Sequence, residues 1–306
     1  MADGVQIDVV VDAKTDLGEA PTWDARIQRL YFVDINSKNI QYWDLASGQH
    51  VVIDAPEMIG TVALTADPNT VLVAMHRTIV PLDVRTKSFG KPLLEVPEDH
   101  GVDSMRFNDG KGSPGGAFIV GRMHSKWRDG EPGRLYRADV KTGKLEELLG
   151  PDEVGLPNGM AWDTARQTMY FVDTYAGTVT AYGTDEAGVP VKGANGKLQA
   201  RCVVKVPKED GIPDGMTIDR DGNLWVALAE GGALGCYDPD TGDLKRKVQL
   251  PVKKPLACTF GGPDLDQLFV TTRVEKGEGA SEHWGSILSV RVPGVKGVDG
   301  GYSVST

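Results

Sequence analysis

Short runs of aliphatic, aromatic and β-branched residues recur along the chain, each set off by polar turn clusters. Leu30-Tyr31-Phe32-Val33, Val71-Leu72-Val73-Ala74, Ala117-Phe118-Ile119-Val120, Met169-Tyr170-Phe171-Val172, Leu224-Trp225-Val226-Ala227 and Leu268-Phe269-Val270-Thr271 start 41, 46, 52, 55 and 44 residues apart. Runs this short, bounded by turns such as Asp67-Pro68-Asn69 or Asp219-Arg220-Asp221-Gly222, are strands rather than helices. Several units continue into another strand and turn, as in Ile40-Gln41-Tyr42-Trp43-Asp44 before Ser47-Gly48 and Leu135-Tyr136-Arg137-Ala138-Asp139 before Thr142-Gly143. Six units with a period of about 45 residues and four strands each predict an all-β, six-bladed β-propeller, a single domain over residues 1–306. Radial closure protects sheet edges that an open sheet of this size would expose. Val5-Gln6-Ile7-Asp8-Val9-Val10-Val11 reads as a strand completing the last blade beside Ile287-Leu288-Ser289-Val290. Two β-sandwich domains in tandem are the alternative, but no linker-like shift in composition divides the chain.

Composition narrows the function classes. A net charge of -10, with lysine groups interleaved among acids, lacks the basic stripe that nucleic-acid binding needs. No segment is apolar over the length of a membrane span, and Met-Ala-Asp-Gly-Val has neither the basic start nor the apolar stretch of a secretory signal, so the expectation is a cytoplasmic protein with no membrane partner. Cys202, Cys236 and Cys258 are odd in number and widely spaced, which predicts buried free thiols rather than a disulfide framework. His-Glu-x-x-His and Gly-x-Ser-x-Gly are absent. Gly110, Gly112 and Gly115 match a dinucleotide-binding pattern by letters, yet Pro114 interrupts it and a strand follows, so it reads as a turn. The loop from Asp238 to Asp243 faintly echoes a calcium loop, but its glycine falls one place early and Gln249 stands where a bidentate Glu belongs.

Candidate chemistry comes from position within the repeat. Counting back from each apolar run, the six units offer Glu19, Gly60, Asn108, Asn158, Asp214 and Leu256. In a radial fold such residues can face one point on the axis. Two carboxylates and an amide oxygen make a hard-oxygen site suited to Ca²⁺, Mg²⁺ or Mn²⁺, whereas the lack of sulfur and imidazole argues against structural zinc. Taken singly, Asn158-Gly159 and Asp214-Gly215 also read as hairpin turns; their equivalent placement in separate units favours a shared site.

The segments Leu17-Gly18-Glu19-Ala20-Pro21-Thr22-Trp23, Arg106-Phe107-Asn108-Asp109-Gly110-Lys111, Pro157-Asn158-Gly159-Met160, Ile212-Pro213-Asp214-Gly215-Met216 and Phe260-Gly261-Gly262-Pro263-Asp264, in order from about residue 15 to 292, resemble the senescence marker protein (regucalcin), gluconolactonase and luciferin-regenerating enzyme family. The resemblance implies a six-bladed propeller with one divalent metal ion at a central site, Ca favoured over Mg, Mn or Zn, and hydrolysis of a small-molecule sugar lactone. It further implies Glu19, Asn158 and Asp214 as metal ligands, Asp214 as catalytic acid/base, and Arg106 and Asn108 as substrate contacts. An acidic substrate contact that the family often carries after the third blade's second strand is missing; His124, in His124-Ser125-Lys126-Trp127, is the candidate replacement. Arg106 could instead pair with Asp103 or Asp109. A phosphotriesterase or arylesterase, and a calcium-binding regulatory protein, are the alternative functions. His50, His76, His100 and His283 receive no role.

Overall fold

Each of the six apolar runs lies on the second strand of a four-stranded antiparallel blade, where both faces are covered, which is why those runs are apolar throughout rather than alternating. Residues 4–97, 104–277 and 280–306 are described in this computed structural model; His100 and Asp103 lie outside them. From the axis outward, blade 1 comprises Gly18–Asp24, Arg29–Asp34, Asn39–Asp44 and His50–Asp54. Blades 3, 4 and 5 repeat that order from inner strands Met105–Gly112, Pro157–Asp163 and Ile212–Ile218. Blade 2 starts at Ile59–Thr65, and its outer edge is broken into Ser88–Phe89 and Leu94–Glu95.

Blade 6 begins with Pro255–Gly261 and is completed, as the sequence predicts, by the N-terminal strand Gln6–Val11 pairing antiparallel with Ile287–Arg291. Each inner strand touches the inner strands of both neighbouring blades, so the ring is closed. Tandem sandwiches are thereby excluded. The core is divided accordingly into six apolar clusters, each shared by two adjacent blades. Tyr31 of blade 1 packs with Val62 and Val73 of blade 2, for example, and Trp225 of blade 5 with Phe260 of blade 6. Burying one such side chain contributes roughly 1.5–3 kcal/mol, so each blade is held by its neighbours rather than by a core of its own.

All six inner strands lose register near their start. The breaks fall between Glu19 and Thr22, Ile59 and Thr61, Phe107 and Gly110, Pro157 and Met160, Pro213 and Met216, and Pro255 and Ala257. These bulges coincide with the six positions picked out by counting back, and a bulge re-aims the side chain that it carries. Asn158-Gly159 and Asp214-Gly215 are therefore strand interior, not hairpin turns. Their glycines admit the next blade: a Cβ on Gly159 would lie 2.4 Å from the Met216 nitrogen, and one on Gly215 2.3 Å from the Ala257 Cβ.

The tail after residue 292 crosses the far ends of the inner strands. Ser303–Val304 pairs in parallel with Leu64 and Thr65, Tyr302 packs edge-on against Trp162, and Gly297 bridges to Asp219. Glu19 and Asp214 stand at the opposite ends of their strands, so the tail covers the face away from them. Two expectations change in detail. Gly110 and Gly112 end an inner strand, with the turn falling after them. Cys236 and Cys258 are buried and free, whereas Cys202 is free but exposed on an outer strand. Among the described residues, no helix is long and apolar enough to cross a membrane.

Candidate active site

Glu19, Arg106, Asn108, Asn158 and Asp214, from the inner strands of blades 1, 3, 4 and 5, line one cleft of about 230 Å³ at the mouth of the axial channel. The bulges lie at or beside these positions and turn them toward a common space, which polar Asn36, Thr174, Glu230, Lys254 and Arg273 also line. A directed chain of hydrogen bonds links four of the blades' polar groups. Arg106 Nη1 donates to Asn108 Oδ1 at 2.9 Å, and Asn108 Nδ2 to Asn158 Oδ1 at 2.8 Å. Asn158 Nδ2 then donates to Thr174 Oγ1 at 2.7 Å, and that hydroxyl to the Pro213 carbonyl at 2.7 Å. Both amides are thereby held in one orientation, with a lone pair of Asn158 Oδ1 remaining.

The two carboxylates are differently placed. Burial pushes Glu19 well above the ordinary carboxylate range, with Asp214 and then Asp109 adding repulsion. Burial likewise pushes Asp214 up to about 8, Asp109 adding to it while Arg273 and Arg106 oppose. Asp214 Oδ1 is sheltered from solvent and accepts no hydrogen bond among the described residues. Burial draws the Arg106 guanidinium down to about 10, against the pull of Glu19 and Asp214, so it remains a cation near neutral pH. Deeper in the channel, burial raises Asp109 and lowers Lys111, each countering the other.

The donor set fits a hard divalent cation. Two mutually repelling carboxylates and an amide oxygen converge where one carboxylate oxygen has no proton donor, a combination that a cation relieves. Among the described residues no three His, Cys, Asp or Glu side chains gather as a metal site; here the third oxygen belongs to an amide. His124 does not line the cleft. Its Nδ1 instead accepts the Lys126 N–H at 3.1 Å, while Met123, Trp127 and Arg128 from that strand and loop face inward.

A second ring of residues went unnoticed in the sequence. Ile35, Met123, Thr174, Ala229 and Arg273 occupy corresponding places at the ends of second strands, and all line the cleft. Their letters share nothing, so only their offset of five or six residues from the start of each apolar run could have revealed them. Arg273 Nε is sheltered and unpartnered among the described residues.

The sequence matches the family described as SMP-30/Gluconolactonase/LRE-like region over residues 17–274. It is 34% identical to a regucalcin of Xenopus laevis, covering 96% of this chain and 97% of the relative, and 35% identical to a pentonolactonase of Haloferax volcanii, covering 89% and 87%. The fold superposes on a luciferin-regenerating enzyme with a TM-score of 0.85 at 24% identity, covering 99% of this chain and 100% of that one. A calcium-binding regucalcin of Agrobacterium tumefaciens gives 0.85 at 25% identity, with coverage of 97% and 96%.

Proposed function

Since the chain belongs to the SMP-30/gluconolactonase/LRE-like family, we propose that it is a metal-dependent hydrolase that opens small sugar lactones. The observation that carries this reading is the meeting of Glu19, Asn158 and Asp214 in one cleft, with Asp214 Oδ1 buried and unpartnered. Similarity to a pentonolactonase supports the substrate class. Glu19, Asn158 and Asp214 would hold a divalent cation, Ca²⁺ favoured for an all-oxygen set. Such an ion supplies charge stabilisation for the carbonyl oxygen of a lactone under attack, worth several kcal/mol.

The chain's own residues supply the rest. Asp214 takes a proton from the attacking water and returns it to the ring oxygen as that oxygen leaves. Arg106 orients the substrate hydroxyls by donating from its remaining N–H groups, and Asn108, whose two N–H groups are taken by the Pro157 carbonyl and Asn158 Oδ1, offers them the free lone pair of its Oδ1. Leu17, Ile35, Met123 and Leu156 form the apolar wall that limits water around the reacting centre. A pH-indicator assay over a panel of aldonolactones, with chelator and with added Ca²⁺, Mg²⁺, Mn²⁺ or Zn²⁺, tests the reading. Wild-type turnover should vanish with chelator and return with metal. Asp214→Ala should be inactive yet folded by circular dichroism, and undiminished turnover in that variant overturns the assignment.

A further inference from the structure

Beside the cleft lies a second and larger depression of about 560 Å³, between blades 4 and 5. Trp127, Thr174, Ile212 and Pro213 border it, and Trp127, Thr174 and Ile212 line the cleft as well, so the two spaces are continuous. Its surface is apolar where a propeller rim is ordinarily polar. Tyr175 and Ile212 are two of only six large hydrophobic residues exposed among those described, at 55% and 36%. Val206 and Pro207 complete the floor.

The walls are fixed before anything binds. Tyr175 follows the strand Thr168–Asp173, and its backbone N–H is held by Asp173 Oδ1 at 3.0 Å. Its side chain lies over Gly155, where an added Cβ would come within 2.6 Å of the Tyr175 Cβ and 2.8 Å of the ring. The Arg128 guanidinium stacks on the Trp127 ring at 4.4 Å. Lys205 and Lys208 border the groove and form no ion pair among the described residues, which leaves their aliphatic stems free to lie along an apolar guest. Sugar hydroxyls would find few partners here, since the Thr174 hydroxyl is already engaged on both sides.

We propose that this groove receives a hydrocarbon tail carried by the lactone ring, so that lactones with an apolar chain of several carbons are preferred over the same ring without one. The inference rests on the lactonase reading for the ring and on the shared wall of Trp127, Thr174 and Ile212 for the tail. A tail attached to a ring seated over Asp214 can run along that wall into the groove, since Trp127, Thr174 and Ile212 line both spaces.

The test uses metal-loaded, full-length protein and γ-lactones bearing no tail, a propyl, a pentyl or a heptyl tail. Turnover and calorimetric affinity are read in parallel. Burial of each methylene should raise kcat/KM and lower Kd by about fourfold until the groove is filled. In the double variant Tyr175→Ser with Ile212→Ser that slope should flatten, while Tyr175→Phe should retain it. A flat or falling wild-type series overturns the groove assignment. If no lactone is opened, the lactonase reading falls, and the slope in Kd alone still decides whether tails bind here.

Discussion

Replacing Thr174 by valine tests whether the hydrogen-bonded chain through the site sets the position of Asn158. The substitution conserves shape and removes only the hydroxyl. Thr174 Oγ1 accepts from Asn158 Nδ2 and donates to the Pro213 carbonyl, both at 2.7 Å, and the residue is 8% exposed. Both partners would be left without a bond in a place that water reaches poorly. At about 1–3 kcal/mol for each buried unsatisfied group, partly offset by the added methyl, the expected loss of stability is about 2–4 kcal/mol. The functional effect is separate from the stability effect. Without the hydroxyl the Asn158 amide is held only through its Oδ1 by Asn108 Nδ2 at 2.8 Å, and lost outer partners typically weaken metal binding by about 10–100-fold. Denaturant unfolding measures the first effect and calorimetric titration with Ca²⁺ or Mn²⁺ the second, while Thr174→Ser should restore both. A valine variant that loses stability but keeps wild-type cation affinity would refute a role for Thr174 in positioning Asn158 as a ligand.

Gly159→Ala should be worse than its size suggests, because the new Cβ meets Met216 nitrogen at 2.4 Å and Asp214 oxygen at 2.7 Å, backbone atoms that cannot rotate aside. Overpacking of about 1–3 kcal/mol, read from the denaturation midpoint, should accompany weaker cation binding as blades 4 and 5 are wedged apart. The pH dependence of the metal-free protein follows from Glu19 and Asp214, whose folded pKa values burial lifts above the unfolded ones, with Asp109 adding to both and Arg106 opposing both. The folded state then binds more protons, so their contribution favours folding below the unfolded pKa of about 4 and is lost as pH rises toward about 8. Melting temperatures in chelator should fall across that window and recover with a divalent cation; a pH-independent cation effect would contradict the shifts.

The blades were readable because second strands are covered on both faces, and a strand buried on both faces has to be apolar along its whole length. The site was readable for a related reason. A bulge at the same place in six strands leaves a repeated spacing even where the letters differ, and Glu19, Asn108, Asn158 and Asp214 fall on it. What the bulge does to local pairing was not readable, so Asn-Gly and Asp-Gly looked like turns when neighbouring strands, not hairpins, required those glycines. The C-terminal strand Ser303–Val304 was invisible because two residues carry no period, and contacts from blade 2 define it.

Repetition alone also fails to say which repeated carboxylate is free to act. Asp34 and Asp173 recur as regularly as Glu19 and Asp214, each ending a second strand after a Phe-Val pair. Asp34 accepts the N–H groups of Asp16, Leu17 and Ser37, and Asp173 those of Gly155, Leu156, Tyr175 and Ala176. Those bonds pin the loops that lead into Glu19 and Asn158. Asp214, by contrast, has an oxygen with no donor at all among the described residues. Carboxylates at repeated positions thus differ through the backbone donors within their reach: Asp34 and Asp173, saturated, fix the loops that lead into Glu19 and Asn158, whereas Asp214 keeps the donor-free oxygen on which the proposed cation and water chemistry depends.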